Sequence, residues 1–107
     1  MDINIQQDID LIRKSVLQAV PAEAIYLFGS YAYGTPNEAS DIDIYIVVPD
    51  DTMSLPELHG DIRELLWGKK TRELDLLMGR SSTFNHRKNG PTLERLVVQK
   101  GTILYES

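Results

Sequence analysis

Residues 29–48 read GSYAYGTPNEASDIDIYIVV, a polar turn region followed by a regular alternation of side chains. Ile42, Ile44, Ile46 and Val48 fall on one side of the alternation, which predicts a β-strand with one buried face. Pro49 ends this strand. The opposite face carries Asp41, Asp43, Tyr45 and Val47.

The flanking segments predict alternating helices and strands. In the first of them, Ile5, Ile9, Ile12, Val16 and Val20 recur at steps of three or four, the repeat of a helix with one buried face. A short apolar run before Gly29 and the segment ELDLLM predict two further strands. The predicted helices run from about Ile3 to Val20, from about Leu55 to Trp67 and from about Pro91 to Gly101, and the predicted strands are Ala24–Phe28, Asp41–Val48 and Glu73–Met78.

Two segments carry weaker signals. Residues 79–90, GRSSTFNHRKNG, are polar and without periodicity, so we expect a loop. Residues 102–106, TILYE, fit either an edge strand or a packed terminus. The whole pattern predicts one α/β domain over residues 1–107, with a small mixed β-sheet flanked by helices.

Composition excludes several classes of protein. The chain has 107 residues, no cysteine, and 11 Lys and Arg against 16 Asp and Glu, for a formal net charge of -5. The broad basic surface that binds long nucleic acid is therefore not expected. Disulfides, thiolate metal sites and cysteine nucleophiles are excluded. The first residues, MDINIQQDIDLIRK, contain neither a signal peptide nor a membrane span, so a cytoplasmic location is the default expectation.

Asp41 and Asp43 are the first candidate site residues. Two positions apart on a strand, their carboxylates leave the same face, where like charges repel unless a cation or strong donors neutralise them. A hard divalent cation such as Mg²⁺ does so through oxygen ligands. The alternative is structural, with Asp41 as a turn or cap residue and Asp43 as a solvated side chain on a half-exposed sheet.

Asp75 supplies a third carboxylate from the strand ELDLLM. If this strand neighbours DIDIYIVV, three carboxylates converge from two strands, which is what a two-metal phosphoryl-transfer site requires. In such a site two residues bridge the ions, and the third holds the metal that activates the attacking hydroxyl. The alternative interpretation is a strand-edge charge, and adjacency of the strands separates the two.

Gly29 and Ser30 lie where a strand passes into a turn, which directs backbone N–H groups towards an anion. Alone, Gly-Ser is an ordinary turn. Ten residues, 31–40, separate Ser30 from Asp41, and the combined pattern GSYAYGTPNEASDID is far more specific than either part.

With this pattern the chain resembles the minimal nucleotidyltransferase (MNT) family of the DNA-polymerase-β-like superfamily, whose signature is Gly-Ser, ten residues and Asp-x-Asp. The resemblance extends from the leading helix to GTILYE at residues 101–106. It implies the nucleotidyltransferase fold, with Gly29 and Ser30 holding nucleotide phosphates and Asp41, Asp43 and Asp75 binding Mg²⁺. Tyr33 stands where relatives often have an arginine, so one phosphate contact of the family is not expected here.

The resemblance also implies an activity and a partner. Stand-alone members resemble antitoxins that transfer AMP from ATP to a tyrosine of a helical HEPN ribonuclease toxin, with release of pyrophosphate. The chain is too short for an added acceptor-binding domain, which disfavours the small-molecule transferases of the superfamily. The alternative function is a non-catalytic antitoxin that neutralises its toxin by binding alone.

Other candidates are weaker. His59 and His86 have no second histidine at metal-ligand spacing, and both are expected to be surface residues. Tyr31 and Tyr33 either line the nucleotide pocket or pack against their neighbours. Arg80, Arg87 and Lys88 fall in the predicted loop. A solvated loop is a simpler interpretation of this segment than a loop that closes over a nucleotide.

Overall fold

The computed structural model describes residues 3–37, 39–69 and 72–107. Within them, helices and strands alternate as far as β3, and two helices then precede the last strand; the elements are numbered here in chain order. The helices are α1 (Ile3–Ala19), α2 (Ser30–Tyr33), α3 (Leu55–Leu66), α4 (Ser81–Arg87) and α5 (Leu93–Lys100), and the strands are β1 (Ala24–Phe28), β2 (Ile42–Val48), β3 (Leu74–Arg80) and β4 (Thr102–Glu106).

The strands form one mixed sheet in the order β3-β2-β1-β4. β2 pairs with β3 in parallel, while β1 pairs antiparallel with both β2 and β4. The small mixed sheet flanked by helices is therefore confirmed. Residues 102–106 form an edge strand, which decides between the two interpretations left open for this segment.

The first face of the sheet packs against α1 and α3. The apolar residues predicted to share one side of β2 are all buried there, and Ile12 and Val16 of α1 have no exposed surface. Removing this apolar area from water is the main source of stability for the domain. The buried residues of this layer include Ile5, Ile9, Ile12, Val16, Ile42, Ile44, Ile46, Val48, Ile62 and Leu66.

The second face packs against α4 and α5 over part of its length. Tyr45 and Val47 of β2 pack there against Phe84 and Val97. The centroids of the Tyr45 and Phe84 rings lie 5.3 Å apart. The two helices cover the part of this face that holds Tyr45 and Val47. Asp43 lies on the same face, near the beginning of β2.

The prediction of a loop over residues 79–90 is wrong. β3 continues to Arg80, and α4 follows directly, with Phe84 buried. The beginning of α4 is capped from another segment, since Asp50 accepts hydrogen bonds from the backbone N–H of Ser82, at 2.8 Å, and from its hydroxyl. A remote cap and one buried aromatic leave almost no periodic signal in the sequence.

His59 is less exposed than the sequence predicts. It is half-buried, and its Nε2 lies 3.1 Å from the backbone oxygen of Leu76. Because a carbonyl oxygen only accepts, Nε2 carries the proton. His86 is exposed on α4, as predicted.

Candidate active site

The three predicted carboxylates lie at the same end of the sheet. Asp43 and Asp75 are direct partners in the parallel register of β2 and β3, and Asp41 immediately precedes β2. Asp43 and Asp75 lie close enough to share a hydrogen bond when one of them is protonated, and the charges of Asp75 and Asp41 both act on Asp43. The adjacency on which the interpretation of Asp75 depends is therefore present.

Asp43 is the centre of this cluster, and its environment opposes ionisation. Burial, followed by the charges of Asp75 and Asp41 and the hydrogen bond to Asp75, raises the pKa of Asp43 to about 6. Asp41 and Asp75 are exposed, whereas Asp43 is half-buried. A carboxyl group whose ionisation is opposed by two neighbouring carboxylates is typical of a functional site.

The donor set fits a hard divalent cation, because carboxylate oxygens are the ligands that Mg²⁺ prefers. In the described part of the chain, no three His, Cys, Asp or Glu side chains are already placed as ligands of one ion. Asp41 and Asp75 are exposed, so rotation of their side chains towards Asp43 meets little packing resistance. The cluster thus has the right chemistry, with Asp43 as its fixed member.

Gly29 lies against this cluster because it has no side chain. It follows Phe28, the β1 partner of Asp43, and has φ +72° and ψ -152°, a backbone region that is essentially reserved for glycine. A Cβ at this position would overlap the carboxyl group of Asp43, lying 2.9 Å from its Cγ. The glycine therefore makes room for Asp43.

Ser30 begins α2 beside Gly29. The backbone N–H groups of Ala32 and Tyr33 bond back to the oxygen of Gly29 at 3.0 and 3.1 Å, which closes a tight turn next to Asp43. Ser30 is half-buried, and Tyr33 is 38% exposed. The structure brings both predicted phosphate-binding residues to the same end of the sheet as the aspartates.

A buried polar network, not foreseen from the sequence, holds the second helical layer beside the site. The hydroxyl of Tyr45 donates to Oε2 of Glu94 at 2.9 Å, and Nε of Arg87 donates to Oε1 of Glu94 at the same distance. Tyr45 lies two residues after Asp43 on the same strand face. The only sequence signal was a tyrosine on the acid-bearing face of β2.

Comparison with known proteins assigns the family. Residues 9–100 match the nucleotidyltransferase domain family. The chain belongs to this family. The match spans Gly29, Ser30, Asp41, Asp43 and Asp75, and the fold predicted from the signature is confirmed. A comparison with curated proteins found no significant match.

Solved structures of MNT-type nucleotidyltransferases resemble this member of the family. A toxin-antitoxin structure with AMP-PNP is 27% identical, covering 92% of this chain and 73% of the other, with a TM-score of 0.61. The complex of tri-AMPylated HEPN toxin with MNT antitoxin from Shewanella oneidensis is 26% identical, covering 95% and 72%, with a TM-score of 0.57. The resemblance to MNT proteins is confirmed.

A third structure supports the fold alone. It is a protein of Sulfolobus solfataricus inferred to be a nucleotidyltransferase, 18% identical, covering 99% of this chain and 89% of the other, with a TM-score of 0.59.

Among the described residues, no helix has the length and apolar character needed to cross a bilayer.

Proposed function

We propose that this nucleotidyltransferase is a Mg²⁺-dependent protein adenylyltransferase that transfers AMP from ATP to a tyrosine hydroxyl of a HEPN-type ribonuclease toxin, and that it acts as the antitoxin of that pair. The observation that carries the proposal is the contact of Gly29 with Asp43, because it joins the two halves of the Gly-Ser and Asp-x-Asp signature to Asp75 at one end of the sheet.

Each residue has a role in this proposal. Asp41, Asp43 and Asp75 hold Mg²⁺, and the hydroxyl of Ser30 donates to a phosphate oxygen that Gly29 allows to come close. Bound Mg²⁺ supplies positive charge for the triphosphate and lowers the pKa of the acceptor hydroxyl. The acceptor oxygen forms a bond to the α-phosphorus while the bond from that phosphorus to the pyrophosphate oxygen breaks, and the hydroxyl proton is released.

The choice of ATP and of a protein acceptor rests on the relatives. One similar toxin-antitoxin structure contains AMP-PNP, and another contains a toxin carrying three AMP groups. The net charge of -5 suits association with a basic, RNA-cutting partner.

The test is the intact mass of the toxin after co-expression with the chain. Asp43→Asn keeps the side-chain shape and removes the charge, so this variant should bind the toxin and leave it without added AMP, while wild type adds it. Asp51→Asn is the matched control, because Asp51 is an exposed carboxylate after the far end of β2, and it should behave as wild type. A toxin that wild type neutralises without modifying supports the binding-only antitoxin instead.

A further inference from the structure

Two side chains of α3 bond to the backbone of β3 on either side of Asp75. Nε2 of His59 donates to the oxygen of Leu76 at 3.1 Å, and Nη2 of Arg63 donates to the oxygen of Leu74 at 3.0 Å. Leu74 and Leu76 are the chain neighbours of Asp75. The proposed function gives Asp75 a role and leaves these two bonds without one.

β3 gains support from these bonds because it lies at an edge of the described sheet, where it pairs with β2 alone. On the β2 side, the oxygen of Glu73 accepts from the N–H of Ile42 at 2.9 Å. Carbonyl groups alternate in direction along a strand, so the oxygens of Leu74 and Leu76 point to the outer edge. A strand paired on one side opens more readily than a central strand, and this strand carries Asp75.

The spacing of the two donors matches the spacing of the two acceptors. His59 and Arg63 are about one turn of α3 apart, so they share one side of the helix at a separation of about 6 Å along its axis. Leu74 and Leu76 are separated by about 6.6 Å along β3. α3 therefore contacts the edge of β3 at two points that bracket Asp75.

The backbone of Asp75 is held in place while its carboxylate stays free to turn. Leu74 and Leu76 are buried in the core on the α1 and α3 face of the sheet. The exposed side chain of Asp75 points to the opposite face, where Asp43 is its partner in register. The point from which this carboxylate reaches an ion is therefore set by β2 on one side and by α3 on the other.

We infer that His59 and Arg63 are positioning residues for Asp75. Through the backbone of its two chain neighbours, they hold this carboxylate where it can share Mg²⁺ with Asp43. The inference rests on the proposed function for the identity of the ion. Outer groups that orient a metal ligand commonly contribute about tenfold or more to metal affinity. The alternative is that the two bonds only join α3 to the sheet, so that their loss changes stability alone.

The experiment measures the affinity for Mg²⁺-ATP by calorimetry on the full chain without toxin, and the melting temperature of the same samples. His59→Leu and Arg63→Met remove each donor and keep an apolar side chain of similar size. His59→Gln and Arg63→Lys each place an N–H donor at the edge of β3 again. Arg63 is exposed and His59 is half-buried, so all four variants should fold.

Arg80→Met is the matched control. Arg80 also bonds to backbone oxygens, those of Asp50 and Thr52 at 3.3 and 2.9 Å, but at the other end of β3. This variant should lower the melting temperature as Arg63→Met does, while binding Mg²⁺-ATP as wild type does. A second control combines Arg63→Met with Asp75→Asn. If Arg63 acts through Asp75, its substitution should change the affinity little once the carboxylate is gone.

His59→Leu and Arg63→Met should each weaken Mg²⁺-ATP binding about tenfold, and His59→Gln and Arg63→Lys should restore most of the affinity. Wild-type affinity in both variants that lack a donor overturns the positioning role and leaves the proposed function intact. An equal loss of affinity in Arg80→Met also overturns it. So does a loss that persists in full when Asp75 is Asn, because the effect is then not exerted through this carboxylate.

Failure of the proposed function has a different signature. If wild type binds Mg²⁺-ATP but the toxin gains no AMP, the proposed function fails, while weaker binding by His59→Leu and Arg63→Met still supports the positioning role. A wild-type chain that binds no Mg²⁺-ATP overturns both proposals.

Discussion

The α-carbon of Gly29 packs directly against the carboxyl group of Asp43, with the position of a Cβ lying 2.9 Å from Asp43 Cγ. This contact links the turn after β1 to the central strand of the site. Because φ is +72° at Gly29, any other residue there meets both backbone strain and a steric overlap with Asp43.

Gly29→Ala should therefore displace Asp43 and destabilise the fold by about 1–3 kcal/mol, with loss of Mg²⁺-ATP binding. Urea unfolding and calorimetry measure the two effects. Gly60→Ala is the matched control, because a Cβ at that α3 position meets nothing within 4 Å. In a helix interior this change should stabilise the protein by up to about 1 kcal/mol. Wild-type nucleotide affinity in Gly29→Ala would contradict the coupling.

Asp43 should make stability depend on pH. Its pKa is raised to about 6 from 3.8, so between about pH 4 and pH 6 the folded chain keeps a proton that the unfolded chain releases. This carboxyl therefore lowers the free energy of unfolding as pH rises through that window. In metal-free buffer, Asp43→Asn should be more stable than wild type at about pH 7.5, by about 1 kcal/mol after solvent screening.

That advantage should shrink as pH falls to about 4.5, where Asp43 is protonated in wild type. Urea unfolding of both proteins at several pH values measures the difference. Asp50 and Glu94 have lowered pKa values and give the opposite dependence, but they are present in both proteins and cancel in the comparison. A variant less stable than wild type at pH 7.5 would make Asp43 a structural residue.

The elements that the sequence predicts well are those with a local repeat. β2 and α1 bury the side chains that their periodicities place together, since one burial face repeats every second or every third to fourth residue. The candidate site was likewise predictable, because its residues are tied to a fixed spacing within one turn and strand. The position of Asp75 beside Asp43 depended on one further condition, that β2 and β3 are neighbours in the sheet.

What the sequence does not predict depends on contacts between distant segments. α4 begins where Asp50, 32 residues earlier, caps Ser82, and its single buried residue gives no period. His59 lies on α3 as expected, but its bond to Leu76 depends on how α3 packs beside β3. Glu94 is polar in sequence yet 8% exposed, because Tyr45 and Arg87 supply its hydrogen bonds.

Ser30→Ala should weaken Mg²⁺-ATP binding by about 0.5–1.5 kcal/mol if one neutral hydrogen bond to phosphate is lost, and by more if the bond is charge-assisted. Calorimetry with ATP and Mg²⁺ measures the change. Thr83→Ala removes an exposed hydroxyl from α4 and should bind as wild type does. Equal affinities in all three proteins would reduce Ser30 to a turn residue.

Glu94→Ala tests the network that holds α4 and α5 on the sheet. The variant leaves the buried hydroxyl of Tyr45 without its acceptor and removes the ion pair with Arg87, which is 2.9 Å long. Because hydrogen bonds to a buried charged group are strong, we expect a loss of about 2–3 kcal/mol in the free energy of unfolding, measured in urea.

Two further variants separate this cause from a general effect of removing a glutamate. Glu64→Ala, at an exposed position of α3, should change stability by less than about 0.5 kcal/mol. Tyr45→Phe removes only the hydroxyl donor and should cost about 1 kcal/mol, because Glu94 keeps Arg87. The aromatic ring that remains in this variant would still pack on Phe84, so a loss as large as that of Glu94→Ala would mean that the tyrosine hydroxyl, and not the ion pair, holds the two helices in place.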